Sequence, residues 1–285
     1  MRDRIDPLIA ERAPWLYRKG LTARLARRAL DRTLSYDQTV QIATDLRDTC
    51  GAGVMGEMFC KLARRVRVHG LDNVPRQGGA LVVANHPTGI ADGIILHGLL
   101  ADIRPDLFFF ANKDILRVMP QLSPMIAPVE WRTDQRSHGK TRETMAFLRD
   151  AVKDDRLGVI FPSGRLAQRR GLRLHERPWM ASAAMLARKY DLPVIPINIR
   201  ARNSALFYLF DMIHPTLRDI TLFHETLNKD RQPFAITVGE AISPSALPKN
   251  SEDGIALLRR ATLALGEDGR QSVSLVTTSR QLARA

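Results

Sequence analysis

Cysteine is scarce in this chain of 285 residues, which contains two, Cys50 and Cys60. They stand ten positions apart in a helical-looking region and form no Cys-x-x-Cys pair, so the sequence predicts neither a disulfide framework nor a thiolate metal site. We expect both to be buried free thiols in a reducing compartment. No metal site and no bound cofactor are predicted.

Long apolar runs are also missing. No stretch approaches the ~18 consecutive apolar residues of a spanning helix, and the start, Met-Arg-Asp-Arg-Ile-Asp, lacks the apolar core of about 7–15 residues that marks a secretory signal. We therefore expect a soluble or peripheral protein that is cytoplasmic, or held at the cytoplasmic face of a membrane.

Aromatic residues make up 6% of the chain, and the sequence contains no zinc-finger, RRM or heptad-bearing basic motif. Basic residues are abundant, however: 43 Lys and Arg against 30 Asp and Glu give a formal charge of +13. An excess of this size favours an anionic partner. The expected partner is an anionic membrane surface rather than nucleic acid, although a non-catalytic protein that binds either one is the alternative.

Part of the positive charge lies near the N-terminus, in residues 1–65. This region is predicted to be helical, with breaks at 35–38 and 51–53. Its basic residues alternate with apolar and aromatic ones and include Arg18, Lys19, Arg24, Arg27, Arg28 and Arg32. The pattern is typical of a basic amphipathic helix at a membrane interface. The alternative is a surface helix that packs on the body through its leucines. The two readings are compatible, because one edge of the helix can dock while its basic flank faces phospholipid, and 1–65 is predicted to be a helical, membrane-facing element.

Beyond residue 65 the pattern changes to short Val, Ile and Phe runs separated by longer amphipathic stretches. The runs predict strands at 66–69, 80–84, 107–111, 126–130, 158–161, 193–199 and 234–242. The stretches predict helices at 92–101, 140–150, 177–190 and 253–265. This alternation indicates an α/β domain over 66–285, with a mostly parallel central sheet flanked by helices.

The turn after the run 80–84 carries a histidine and an aspartate six positions apart, His86 and Asp92. His86 is expected at the C-terminal end of a strand, and Asp92 at the start of a helix, where Asp is favoured. A carboxylate bonded to one imidazole nitrogen raises the basicity of the other, which suits a general base acting on a hydroxyl. The alternative is an ordinary loop histidine beside a helix cap.

His86, Arg132 and Gly164 each follow a predicted strand, so we expect them to converge at one edge of a parallel sheet, where ligands collect. A second basic cluster follows Gly164 and is interrupted by Glu176; it contains Arg169, Arg170, Arg173 and Arg177. Arginine suits bidentate contact with phosphate. We interpret this cluster as a docking surface for a phosphate-bearing ligand or an acidic carrier, with a merely solvated loop as the alternative.

Several segments, taken together, resemble the blocks of the glycerolipid (lysophospholipid) acyltransferase family. In order they are Asn85-His-Pro-Thr-Gly-Ile-Ala-Asp92, Ala127-Pro-Val-Glu-Trp-Arg132, Phe161-Pro-Ser-Gly164 and Val194-Ile-Pro-Ile197. The resemblance covers roughly residues 66 to 200, and Ala201-Arg-Asn-Ser-Ala-Leu-Phe-Tyr208 is similar to the hemolysin-like bacterial branch, which includes enzymes like the 1-acylglycerol-3-phosphate acyltransferases.

The resemblance implies transfer of a fatty acyl group from acyl-CoA, or from an acyl carrier protein, to a lysolipid hydroxyl in membrane lipid synthesis or remodelling. It assigns His86 as the base and Asp92 as the residue that orients it, and a backbone N–H around Gly89 would stabilise the oxyanion. It places an acceptor phosphate on Arg132, for which a salt bridge to Glu130 or Asp134 is the alternative. The substrate-binding residues that we predict are Asn85, Gly89, Arg132, Phe161, Pro162, Ser163, Gly164 and Arg165.

Two departures from the family pattern stand out. The spacing His86 to Asp92 is one residue longer than the usual His-x4-Asp, and Ser163 replaces the glutamate of the common Phe-Pro-Glu-Gly block. A hydrolase or thioesterase with Ser163 as its nucleophile is a further alternative. It is disfavoured because the sequence has no Gly-x-Ser-x-Gly motif.

Overall fold

The structure is a computed structural model that describes residues 1–130, 138–266 and 272–275. Its centre is a seven-stranded sheet with the order β1-β9-β8-β2-β5-β3-β4. The strands are β1 (Val66–His69), β2 (Ala80–Ala84), β3 (Phe108–Asn112), β4 (Ile126–Val129), β5 (Leu157–Ile160), β8 (Val194–Arg200) and β9 (Phe234–Val238). All pairings are parallel except that between β8 and β9. The predicted α/β fold and its seven strands are confirmed.

Strand β2 lies in the middle of this sheet and is buried over its whole length. Its side chains alternate between two cores, because successive residues of a strand point to opposite faces. Val82 and Ala84 belong to the larger core, and Leu81 and Val83 to the core on the other face. Strands covered on both faces read as continuous apolar runs, which is why the sequence located this one.

Eleven helices surround the sheet in the described residues. They are α1 (Arg2–Arg12), α2 (Leu21–Thr33), α3 (Tyr36–Asp45), α4 (Gly51–Leu62), α5 (Ile90–Leu100), α6 (Asp114–Val118), α7 (His138–Lys153), α8 (Ser182–Lys189), α9 (Ala205–Ile213), α10 (Pro215–Leu227) and α11 (Ser251–Ala264). A separate three-stranded sheet contains β6 (Gln168–Arg170), β7 (Arg173–His175) and β10 (Ser272–Ser274). The four predicted helices correspond to α5, α7, α8 and α11.

The N-terminal helices share the core of the sheet. Ile5 and Leu8 of α1 and Val54 and Met58 of α4 are buried in the same cluster as Val82. Helix α2 differs, because none of its residues is buried. No helix in the described ranges is both long and apolar enough to cross a membrane.

Two expectations for this region are wrong. The predicted break at 51–53 is the first turn of α4, and the real interruption lies just before it, between Asp45 and Gly51. The break at Ser35 is confirmed, since that residue adopts a left-handed conformation with φ of 52° between α2 and α3. The thiols of Cys50 and Cys60 are free but exposed rather than buried, because both residues lie on the solvent side of α4 and its cap.

Candidate active site

His86 lies two residues beyond the C-terminal end of β2, at the centre of the sheet edge. The preceding residue, Asn85, fixes this position: its side-chain amide donates to the carbonyl of Ile199 at 2.8 Å, and its Oδ1 accepts from the Ile199 N–H at 2.7 Å. Asn85 therefore extends the pairing of β2 with β8 by one residue. Its side chain is engaged with backbone, and its role in substrate binding stays a prediction.

His86 and Asp92 meet in the structure. The Nδ1 atom of His86 lies 3.0 Å from Oδ2 of Asp92, which stands in the first turn of α5 and is fully buried. Gly89 permits this closure, because its φ of +105° is a conformation that residues with a side chain rarely adopt. The loop that is one residue longer than usual thus still brings the pair together.

The carboxylate of Asp92 also accepts hydrogen bonds from its own loop. The N–H groups of Thr88 and Gly89 donate to Oδ2 at 2.9 and 3.0 Å, and the hydroxyl of Thr88 donates to Oδ1. An ionised carboxylate only accepts, so the Nδ1 atom of His86 carries the proton and Nε2 keeps its lone pair. Thr88 was not among the predicted site residues, although a threonine beside a helix start is a common source of such bonds.

These contacts bear on the oxyanion donor expected around Gly89. Since the N–H groups of Thr88 and Gly89 are both directed at Asp92, neither is available to a substrate in this arrangement. The next N–H groups along the chain belong to Ile90 and Ala91, in the first turn of α5, where a helix leaves its N–H groups without helical acceptors. A donor near Gly89 would come from this turn.

Phe161, at the end of β5, stacks on the ring of His86, with centroids 4.2 Å apart and an interplanar angle of 25°. The turn that follows is closed by a hydrogen bond from the Gly164 N–H to the Phe161 carbonyl at 2.9 Å. Gly164 has a φ of +60°, and the Pro162 carbonyl accepts from the Met180 N–H at 2.9 Å. The structure therefore brings the Phe-Pro-Ser-Gly segment directly against the histidine.

Ser163 is buried in this turn, and its hydroxyl donates to the carbonyl of Arg165 at 2.8 Å. This bond directs the hydroxyl proton into the turn and not toward His86. The arrangement weighs against Ser163 as a nucleophile activated by the pair of His86 and Asp92, which we call the dyad. The side chain of Arg165 itself is exposed beside the turn.

Glu176 is a buried carboxyl group at the site to which the sequence analysis gave no role. Its Oε2 accepts from the backbone N–H of His86 at 3.3 Å, and its Oε1 accepts from Nε1 of Trp179 at 2.9 Å. Burial raises the pKa of Glu176, and the hydrogen bonds from Trp179 and His86 oppose that shift. In the sequence, Glu176 is recognisable only as the single acidic residue of an arginine-rich segment. We interpreted that segment as a docking surface or a solvated loop.

The arginine-rich segment forms the hairpin of β6 and β7 and its flanks. Three of its arginines donate to backbone carbonyls: Arg169 to Gly171 at 2.8 Å, Arg173 to Ser272 at 3.0 Å and Arg177 to Leu166 at 3.0 Å. Arg170 is exposed. The hairpin is attached to the site, because the N–H of Ala167 donates to the His86 carbonyl at 2.9 Å.

Arg132 lies outside the described residues, so its place relative to the dyad and its predicted phosphate contact stay predictions. Within the described ranges, no group of three or more His, Cys, Asp or Glu side chains is arranged to hold a metal ion.

Comparison with known proteins matches residues 65–200 to the acyltransferase family model. Two relatives, both named lyso-glycine lipid O-acyltransferase, come from Phocaeicola vulgatus and Bacteroides thetaiotaomicron. The first is 24% identical over 64% of this chain and the second 20% identical over 84%. The matches span 65% and 87% of the relatives' own lengths, so the chain covers just under two thirds of the first.

Among solved structures, the crystal structure of the 1-acyl-sn-glycerophosphate (LPA) acyltransferase PlsC from Thermotoga maritima aligns with 93% of this chain and 96% of that chain. The two are 16% identical, with a TM-score of 0.49.

Proposed function

Because residues 65–200 match the acyltransferase family model and the motifs of this chain resemble those of the glycerolipid acyltransferases, we propose that it transfers a fatty acyl group from an acyl thioester to a hydroxyl of a lysolipid. The observation that carries the proposal is the dyad: His86 is held through Nδ1 by a buried carboxylate at 3.0 Å. The two relatives named lyso-glycine lipid O-acyltransferase support a lysolipid as the acceptor.

In the proposed reaction, Nε2 of His86 removes the proton from the acceptor hydroxyl as its oxygen attacks the thioester carbonyl carbon. A C–O bond forms, and the carbonyl oxygen becomes an oxyanion. When the tetrahedral intermediate collapses, the C–S bond breaks and the thiol leaves with the proton that His86 had taken. Asp92 stabilises the imidazolium between these two steps.

The site supports this role for His86 in two further ways. Phe161 covers one face of the imidazole and limits its rotation, and Glu176 holds its backbone N–H. The His86 side chain is 19% exposed, which leaves access for a substrate. A base held from three sides loses little entropy when the reaction geometry is reached.

For the thioester donor, we propose that the exposed arginines at the Phe-Pro-Ser-Gly turn and the hairpin, Arg165 and Arg170, bind phosphate groups. Coenzyme A carries phosphates, and an acyl carrier protein presents a phosphopantetheine group on an acidic surface, so both donors share the chemistry that arginine recognises. By the family resemblance, the acceptor's phosphate or other polar head would lie on Arg132.

The expected attachment to the cytoplasmic face of a membrane is also a proposal. Leu21 and Leu25 of α2 are 72% and 55% exposed. The opposite edge of the helix docks on the body, where Arg27 stacks over the Tyr17 ring at 4.3 Å and pairs with Asp6 at 3.0 Å. The helix is thus docked through Arg27, and the expectation that it packs through its leucines is wrong for Leu21 and Leu25, which are exposed and face the proposed interface.

The test is thiol release from a long-chain acyl-CoA by the wild type and by His86→Ala, with and without lysolipids, repeated with an acyl-carrier-protein donor. Release that needs both His86 and a lysolipid supports the proposal and identifies the acceptor class. Release without an acceptor indicates a thioesterase. An active His86→Ala variant with native circular dichroism would overturn the role of the dyad, and no release from either donor would favour a binding protein.

A further inference from the structure

Helix α9 has an apolar outer face. Phe207 and Tyr208 are buried against the hairpin, whereas Leu209, Met212 and Ile213 are 50%, 66% and 61% exposed. Residues three and four apart lie on one side of a helix, so these three form one contiguous surface. A surface helix of a soluble domain normally turns polar residues outward, and a clustered exposed apolar face marks an interaction site.

This face belongs to a firmly held helix rather than to a frayed end. The hydroxyl of Ser204 caps α9 by accepting from the Phe207 N–H at 3.2 Å. The N–H of Ser204 donates to Glu225 of α10 at 2.8 Å, and Glu225 in turn forms a buried ion pair with Lys229 at 3.0 Å. Helix α9 is thereby clamped to α10 at its N-terminal end, and its outer side chains are exposed because of where the helix is fixed.

The start of α9 is also hydrogen-bonded to the loop of the dyad. The side-chain amide of Asn203 donates to the carbonyl of Thr88 at 3.3 Å, and its backbone N–H donates to the Tyr208 hydroxyl at 3.1 Å. Thr88 is the residue that donates to Asp92. The apolar face is therefore carried by the helix next to the catalytic loop.

Positive charge adjoins this face. Arg218 pairs with Asp211 of α9 at 3.2 Å and with Asp219 at 2.8 Å, so its own charge is neutralised and the positive charge comes from the hairpin segment. Burial lowers the pKa of Arg177, and the nearby charges of Arg218, Arg165 and Arg170 lower it further. The hairpin segment packs on Phe207 and Tyr208 of α9 through Leu166 and Leu174, so the exposed side chains of Arg165 and Arg170 lie on the hairpin side of this helix. Exposed apolar side chains flanked by arginines match an anionic lipid surface, which offers hydrocarbon below and negative headgroups above.

We propose that the outer face of α9 inserts into the surface of an anionic bilayer, with the adjoining arginines on the headgroups. The sequence analysis expected membrane contact at the N-terminal helices, and this proposal adds a second contact, next to the dyad. Docking in this orientation would let a lysolipid reach His86 from the bilayer. That delivery role rests on the proposed acyl transfer, whereas docking itself does not.

The experiment measures binding of the full chain to two kinds of vesicle, pure phosphatidylcholine and phosphatidylcholine with about one quarter phosphatidylglycerol. The test variant carries Leu209→Gln, Met212→Gln and Ile213→Gln, which remove apolar surface without changing charge. The control is Met185→Gln, because Met185 is 55% exposed on α8, away from α9. A second variant, Leu21→Gln with Leu25→Gln, measures the share of α2.

The wild type is expected to prefer the anionic vesicles, and the triple variant to lose at least about tenfold in affinity for them. Met185→Gln should bind like the wild type. Wild-type binding by the triple variant, or no binding by the wild type, overturns the proposal. A wild-type dimer in sedimentation velocity that the triple variant abolishes also overturns it, because a second copy of the chain would then cover this face.

An activity measurement separates this proposal from the proposed function. With a short-chain lysolipid dissolved below its micelle concentration, the triple variant should release thiol as fast as the wild type, while turnover of lysolipid embedded in anionic vesicles should fall with binding. If the wild type transfers no acyl group but binds anionic vesicles, and the triple variant does not bind them, the docking proposal stands and the enzymatic role is refuted.

Discussion

Replacing Asp92 by asparagine removes the negative charge of the dyad while preserving its shape. The oxygen of the new amide can occupy the position of Oδ2, which accepts from His86, Thr88 and Gly89. The amide nitrogen then faces the Thr88 hydroxyl, which can rotate to accept instead of donate. All the hydrogen bonds are retained, so the substitution tests the charge alone.

The charge acts when His86 becomes an imidazolium. At a charge separation of about 4 Å and an effective dielectric constant of about 20, a carboxylate stabilises that cation by about 4 kcal/mol. At about 1.4 kcal/mol per tenfold in rate, we expect kcat/KM of Asp92→Asn to fall by about three orders of magnitude. The fold should survive, since a neutral side chain is easier to bury than a charged one.

Thiol release with acyl-CoA and a lysolipid acceptor measures the loss, and thermal unfolding followed by circular dichroism checks the fold. The matched variant is Thr88→Val, which keeps the charge but removes one hydrogen bond to Asp92; its loss should be about tenfold or less. Asp92→Asn activity within about tenfold of the wild type, at an unchanged Tm, would refute the reasoning. Equal losses in the two variants would mean that loop geometry matters rather than charge.

The remaining predictions concern the neighbours of the dyad. Gly89→Ala should lower stability by about 1–3 kcal/mol, measured by urea unfolding, since φ is +105° and the added methyl would lie 3.2 Å from Leu166; unchanged stability would contradict that strain. Glu176→Gln leaves one amide oxygen to accept from both the His86 N–H and the Trp179 Nε1–H, so His86 should be misplaced and kcat should fall while KM for the acyl thioester is unchanged. A change in KM alone would contradict this positioning role. Burial lowers the pKa of His97 from its ordinary 6.5, so the folded state disfavours its protonation and stability should decrease as pH falls below 6.5 toward the lowered value. His97→Gln should flatten that slope, and an unchanged slope would show that other groups cause it.

The sequence predicted the seven strands because each is a short, buried, apolar run between turn-forming residues. Their order was not predictable, since it depends on pairings between distant segments: β1 pairs with β9, and β9 lies between β1 and β8. The antiparallel direction of β9 follows from the path of the chain after β8. Helical stretches α9 and α10 intervene there, and nothing in the composition of 234–238 distinguishes a parallel from an antiparallel strand.

Helix α9 and strands β6 and β7 were missed for different reasons. Residues 205–213 are apolar on nearly all sides, because the inner face packs on the hairpin and the outer face is apolar too. No polar stripe identifies such a segment as a surface helix. Strands β6 and β7 were missed because they are three residues each and rich in arginine, and their turn depends on Gly171 at a φ of +59°.

The site residues likewise fall into two groups, those that are close in sequence and those brought together from distant segments. His86 and Asp92 were predictable because six residues and one turn connect them, so local rules place them together. Glu176 is 90 residues from His86, and Asn203 is 115 residues from Thr88. Contacts at such separations depend on how the sheet and hairpin pack, and one sequence contains no direct record of them.

The serine in the Phe-Pro-Ser-Gly turn illustrates how a local motif can mislead about local chemistry. In the family pattern a glutamate commonly stands at this position, so the sequence implies that a carboxyl group is missing from the turn. In the structure, the Glu176 carboxyl accepts from the N–H of His86, the residue on which Phe161 of this turn stacks, and it comes from a point thirteen residues beyond Ser163 in the chain. A carboxyl group is thus present at this turn, supplied by the hairpin. The small Ser163 side chain leaves room for it, because two buried carboxyl groups at one position would repel each other unless one kept its proton. Substrate selectivity inferred from the serine alone would overlook that the acidic group has moved rather than disappeared.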